Sequence, residues 1–324
     1  MTELPPESPA VEVIAERAWF RPVFALAPHE HVLLLYMAIM LAGLALAAPS
    51  AERNRLIQTV LAILLGFGTV TVVARGVRQP SWTVRAVFRL APITGLFLVY
   101  ANLRTLIPTI HPVLLDIPLY HFDLAVFRFE PALACERFLT PFLVNWLSAW
   151  YSLYWLLLAV FVLPQIFLRV DPRRAVRLGT AVIALTCIAH VLYIVVPGLG
   201  PVVGLKDQFA GPLPRGWAYD FMIAVASGAG PQRDIFPSLH TAHTLLFTLI
   251  CWHERESTLY RWARWPMVAI TAHMIAATMA LRWHYGIDVI VGAALAYATF
   301  KLAHVVNPWW ERKRTSLGLS PTWW

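Results

Sequence analysis

Leu281-Arg282-Trp283-His284-Tyr285-Gly286-Ile287-Asp288-Val289-Ile290-Val291-Gly292-Ala293-Ala294-Leu295-Ala296 decides how this chain is read. A polar island opens an apolar run that continues to about residue 306, long enough to cross a hydrocarbon core of ~30 Å, which takes about 20 residues. A second island, Asp234-Ile235-Phe236-Pro237-Ser238-Leu239-His240-Thr241-Ala242-His243-Thr244, opens another apolar run in the same way. Ionisable groups at such depth are costly and are functional candidates by default.

Working outward, the whole chain supports a membrane reading. Its 324 residues are 59% hydrophobic and only 14% charged, with a mean hydropathy of +0.62. A soluble chain would carry nearly twice that charge fraction. The sequence predicts an all-α polytopic bundle of about eight transmembrane helices, over 31–49, 57–75, 87–107, 141–168, 177–197, 237–252, 265–281 and 285–306. The sixth and seventh runs are the weakest by length. Residues 1–30 and 307–324 read as cytoplasmic tails, the first with an interfacial piece around 11–24 rather than a signal peptide. Residues 31–107 read as accessory helices and 108–306 as the catalytic membrane domain.

The net charge of +8 sits in short loops beside apolar spans, which excludes a nucleic-acid footprint and sets orientation instead. With both ends inside, 17 of the 26 Lys and Arg fall on the cytoplasmic side. Both polar islands then open on the outer face. The outer segments 108–140 and 198–236 are long, the first predicted as interfacial helical pieces, amphipathic over 124–138. The second, rich in Gly and Pro, is placed to act as a lid or lipid-entry rim. The three cysteines provide neither a disulfide framework nor metal spacing.

Chemistry concentrates in the islands. Pro237 suits the first turn of a helix, which leaves the Ser238 and Leu239 amides as an anion site. His240, His243 and Thr244 are spaced to share one helical face. Two histidines three apart lack a third zinc ligand, and no metal or cofactor is expected. His284 and Asp288 are one turn apart, so the carboxylate can fix the ring's tautomer and stabilise its developing charge. Capped, hydrogen-bonded core histidines and a His–Asp pair pinning two helices are the structural alternatives. Taken together, the residues suit phosphoester chemistry: His284 as nucleophile, Asp288 orienting it, His240 transferring protons, and Ser238 and Leu239 binding phosphate with Arg282 and Arg233. Lys206 and Arg215 lie on the same face. His190 and His273 read as interhelical hydrogen-bonders.

The islands resemble the signatures of the type 2 phosphatidic acid phosphatase superfamily. Pro237-Ser238-Leu239-His240 resembles its Pro-Ser-x-His motif, and His284 to Asp288 its His-x3-Asp ending. Phe-Pro-Ser-Leu-His with His-Tyr-x-x-Asp, and the Pro197-Gly198-Leu199-Gly200-Pro201 bend, look most like the inositol phosphorylceramide synthase branch and its bacterial relatives. The resemblance covers roughly 120–305. It implies six core helices, an outward-facing site in a plasma membrane, a phosphorylated His284, Asp288 as its partner and His240 as acid/base. Thr278 stands where the phosphatases carry an arginine, and no Lys-x6-Arg-Pro copy is present. That departure favours transfer of a phosphate-linked head group from a phospholipid or polyprenyl-linked donor to an alcohol acceptor. Hydrolysis by water is the alternative. A transporter with a His/Asp relay is a further one, although no inverted repeat is visible.

Overall fold

The computed structural model describes residues 21–77, 79–168, 171–229 and 233–319, with 227–229 described by backbone alone. The interfacial piece expected around 11–24 lies largely outside them. Among the described residues the chain is helical: α1 (Pro28–Leu46), α2 (Ala51–Gly76), α3 (Trp82–Tyr100), α4 (Leu103–Ile110), α5 (Asp116–Phe127), α6 (Pro131–Glu136), α7 (Pro141–Ser152), α8 (Tyr154–Phe167), α9 (Pro172–Val195), α10 (Pro201–Gly204), α11 (Trp217–Ala229), α12 (Leu239–His253), α13 (Thr258–Ala280) and α14 (Gly286–Ser316). Starts follow the local chemistry. Ser50, Ser81, Thr140 and Asp171 each accept a first-turn amide, and Pro141 and Pro172 open α7 and α9, where a missing N–H costs nothing.

Among the described residues, six helical segments are long and apolar enough to cross a membrane: α1, α2, α3, α7 with α8, α9 and α14. The chain is an integral membrane protein. The sequence predicted eight spans, and α12 and α13 are the two outside this set. Helix α12 has 15 residues, about 22 Å at ~1.5 Å per residue, shorter than a ~30 Å core. Helix α13 has the length but carries Arg261, Arg264 and His273. Both are packed into the bundle, with α12 against α9, α13 and α14.

Other boundaries differ for local reasons. The run 87–107 breaks after Tyr100 and resumes as α4. The piece expected over 124–138 is two helices, because Arg128 ends α5 at φ +68° and Pro131 starts α6. Helix α14 continues through Pro308 to Ser316, beyond the expected 306.

Helix α9 is the centre of the bundle. Ala181, Ala184, Leu185 and Ala189 are buried, and small residues let neighbouring helices approach closely. Helices α12 and α14 start beside each other and run away from their shared end. At the far end Arg174 and Arg177 bind Glu254 at 3.0 and 2.5 Å. There too Arg75 pairs with Glu30 at 2.5 Å, Trp310 donates to the Leu26 carbonyl at 2.9 Å, and Arg314 binds the Phe24 and Ala25 carbonyls. Residues 24–30 and 310–314 are therefore at one end, and the two islands are at the other.

Candidate active site

The islands meet through their backbones. The Ser238 amide donates to the Asp288 carbonyl at 3.0 Å. A side chain on Gly292 would lie 2.6 Å from the Ser238 carbonyl oxygen, so glycine permits this approach. The sequence placed Pro237 in the first turn and left the Ser238 amide free. In the structure Ser238 is the N-cap, its hydroxyl accepting from the Thr241 amide at 3.4 Å. Pro237 therefore precedes the cap, and the Ser238 amide is spent on α14. The Leu239 amide remains at the helix start, where no preceding turn supplies an acceptor.

His284 sits in the turn between α13 and α14. The Thr278 carbonyl accepts the Trp283 and His284 amides at 3.0 and 3.1 Å, and Arg282 takes a left-handed φ of +65°. Asp288 Oδ2 accepts the Tyr285 amide at 3.0 Å and faces His284 Nδ1 at 3.3 Å. An acid three residues into the helix thus reaches back to the cap amide while it touches the imidazole. With Nδ1 donating to Asp288, Nε2 carries the ring's lone pair. Asp288 is fully buried and His284 nearly so.

His240 faces His284, with ring centres 6.2 Å apart and planes at 56°. Tyr151 stacks on His240 at 4.2 Å, its hydroxyl 3.4 Å from Nδ1, and Tyr154 covers it at 4.1 Å. His243 is occupied differently. Its Nδ1 meets the Tyr154 hydroxyl at 2.9 Å and its Nε2 the Thr186 hydroxyl at 3.1 Å. Both nitrogens are committed to packing, as are those of a satisfied core histidine. Thr244 bonds back to the His240 carbonyl. Of the three residues expected on one face, only His240 joins the site.

Three acidic residues that the sequence did not single out hold this arrangement. Asp116 accepts the Leu199 and Gly200 amides at 3.0 and 2.9 Å and the Tyr285 hydroxyl at 3.2 Å. Gly200, at φ +79°, lies so close to the Trp283 carbonyl that a Cβ would meet it at 2.4 Å. Asp123 accepts the Gly286 and Ile287 amides at 2.5 and 2.8 Å, which caps α14. Glu130 is buried beside Asp123. No local pattern marks Asp116 and Asp123, because their partners are about 80 to 170 positions away.

The family model of the PAP2 superfamily matches residues 118–302. The chain belongs to the PAP2 superfamily. Phosphatase- or phosphotransferase-type chemistry on lipid phosphates comes with that membership. The matched stretch runs from α5 into α14 and contains His240, His284 and Asp288. No curated protein and no solved structure matches the chain.

In this PAP2 superfamily member the nearby basic groups are turned to other partners. Arg282 binds Glu136 at 2.9 Å and the Gly211 carbonyl at 2.8 Å, and its guanidinium lies 3.8 Å from the Phe209 ring centre. Arg233 donates to the Pro112 carbonyl at 2.9 Å, and Arg215 pairs with Asp220 at 2.8 Å. Thr278 is buried, its hydroxyl bonded to the Ile275 carbonyl at 2.8 Å. Asp234 bridges to Gly198 in the outer segment, and burial pushes its carboxyl up to about 7. It lies within electrostatic reach of Tyr151 and Tyr154. Away from the site, His190 meets the Tyr36 hydroxyl at 3.0 Å, as an interhelical partner. His273 bonds within its own helix and stacks on Trp150 at 4.6 Å. Among the described residues, His253, Glu254 and His304 bring three metal-type donors together, at the opposite end. Arg174 and Arg177 already hold that glutamate.

Proposed function

We propose that the protein is a membrane phosphotransferase that moves a phosphate-linked head group between a lipid donor and an alcohol. Within the superfamily, the Phe-Pro-Ser-Leu-His and His-Tyr-x-x-Asp forms support a reading near the inositol phosphorylceramide synthase branch. The observation that carries the reading is the His240–His284 pair with Asp288 beneath His284. His284 Nε2 attacks the phosphorus, the bond to the departing alcohol breaks, and protonated His240 gives that oxygen its proton. Asp288 stabilises the positive ring of the phosphohistidine. In the second half His240 takes the proton of the acceptor hydroxyl, whose oxygen attacks phosphorus and releases His284. The Leu239 amide at the start of α12 is placed to bind an equatorial oxygen.

The engagement of Arg282, Arg233 and Arg215 elsewhere favours a phosphodiester, which carries one charge fewer than a monoester dianion. The positive-inside distribution supports a site on the outer face, with residues 24–30 and 310–314 inside. Exchange of labelled head group between lipid and alcohol in proteoliposomes tests the proposal, together with trapping of base-stable phosphohistidine. Both signals are expected to vanish in His284→Ala and His240→Ala. Undiminished exchange in His284→Ala overturns the mechanism, and release of inorganic phosphate from a monoester without acceptor assigns a hydrolase instead. Proton-coupled flux without phosphoester turnover assigns a transporter.

A further inference from the structure

Beneath the reacting pair lies a second pair of acidic groups. Both oxygens of Asp123 are used, accepting from Gly286 and Ile287, the first two residues of the helix that carries Asp288. Glu130, the N-cap of α6, accepts the Ala132 amide through Oε1 at 3.1 Å. Its Oε2 is buried without a donor, and its carboxyl faces that of Asp123. Asp123 is 0% exposed and Glu130 3%.

Two touching carboxylates out of water cannot both be ionised, so one proton is shared between them. Asp123 already receives two amide N–H groups and the positive end of a helix, and both favour its charged form. The proton therefore belongs to Glu130, whose Oε2 then donates to Asp123 rather than remaining unsatisfied. The other titratable groups within reach are Asp288, Tyr285 and Cys135, none of them cationic. Burial, with the Asp123 charge adding to it, pushes the Glu130 carboxyl upward in the same sense.

We propose that Glu130 is a positioning residue: its protonated carboxyl donates to Asp123, and the pair fixes the first turn of α14 so that Asp288 stays against His284. The inference rests on the His284–Asp288 reading for its catalytic consequence but not for its protonation state. The first turn can shift only if Asp123 shifts, and a displacement of about 1 Å at a reacting group costs on the order of a hundredfold in rate. Glutamine at 130 keeps an N–H donor toward Asp123, whereas alanine removes it.

The test uses the full chain in nanodiscs. Infrared spectra of wild type minus Glu130→Gln at neutral pH are expected to show the C=O stretch of a protonated carboxylic acid. Head-group exchange is expected to stay within about threefold of wild type in Glu130→Gln and to fall tenfold or more in Glu130→Ala. The fall is expected in kcat, with KM little changed. The wild-type rate is expected to decline as pH rises and Glu130 ionises, and Glu130→Gln to lack that alkaline decline. An infrared band identical in wild type and Glu130→Gln overturns the protonation. Wild-type kcat in Glu130→Ala overturns the positioning role. Absence of exchange in the wild type refutes the proposed function and leaves the infrared result to decide the protonation.

Discussion

The main-chain amide of Ser238 and the main-chain carbonyl of Asp288 are hydrogen-bonded at 3.0 Å. The motif that supplies His240 and the motif that supplies His284 are thus joined through atoms that no side-chain substitution removes. Their relative position depends on how closely the two backbones approach, and Gly292 sets that distance.

Gly292→Ala is accordingly expected to damage activity without touching any reacting group. Its methyl would meet the Ser238 carbonyl at 2.6 Å, and overpacking of this kind costs about 1–3 kcal/mol. Head-group exchange together with thermal unfolding in detergent checks this, with a larger loss expected in kcat than the change in Tm alone accounts for.

Asp288→Asn is expected to leave the fold intact and lower turnover by about a thousandfold or more, as loss of an orienting carboxylate does elsewhere. The asparagine oxygen can still cap the Tyr285 amide, but it no longer stabilises a positive His284 ring. Single-turnover labelling of His284 is expected to slow in proportion.

His240 and His243 are expected to separate in their phenotypes. Tyr154→Phe removes the hydroxyl at His243 Nδ1 and is expected to cost about 1–3 kcal/mol of stability, with modest loss of exchange rate. Tyr151→Ala strips the ring stacked on His240 and is expected to lower kcat more than it lowers Tm.

Arg282 and Glu136 are expected to behave as one structural unit. Arg282→Ala and Glu136→Ala each break the 2.9 Å pair, so the double variant is expected to be little worse than either single one. A double-mutant cycle on exchange rate measures this coupling. Additive losses, with the Arg282→Ala effect on KM alone, would instead indicate that Arg282 holds the substrate phosphate.

Asp234 supplies a pH dependence. Its carboxyl, raised by burial to about 7, is neutral below that pH and negative above it. A negative group there repels an anionic substrate, so KM is expected to rise as pH passes through 7. Asp234→Asn is expected to flatten that rise and leave kcat in place.

The site was legible in the sequence where its parts are local. His284 and Asp288 are one turn apart, so spacing alone predicted the contact at 3.3 Å, whereas Pro237 in the first turn left no place for the Ser238 cap on the Thr241 amide. Nothing singled out Asp116, Asp123, Tyr151 and Tyr154, because they act across the fold. A tyrosine on an apolar helix looks the same whether it faces lipid or clasps a histidine. The all-helical fold followed from the apolar runs. The runs did not reveal that α12 is a short helix surrounded by others, because hydropathy does not distinguish a buried partner from lipid. The free Ser238 amide was lost for a related reason, since its acceptor is the backbone of a helix fifty residues further along.

The joining of residues 24–30 to 310–314 bears on biosynthesis. Arg314 and Trp310 hold the carbonyls of Phe24, Ala25 and Leu26, and Ala27 and Glu30 beside them are buried. The start of α1 is thus held by the end of α14, nearly three hundred residues later in the chain. Before the end of α14 emerges, Arg75 already holds Glu30 and the Ala25 carbonyl, but the Phe24 and Leu26 carbonyls still lack Arg314 and Trp310, so termination near residue 306 leaves that end of the bundle incompletely bonded.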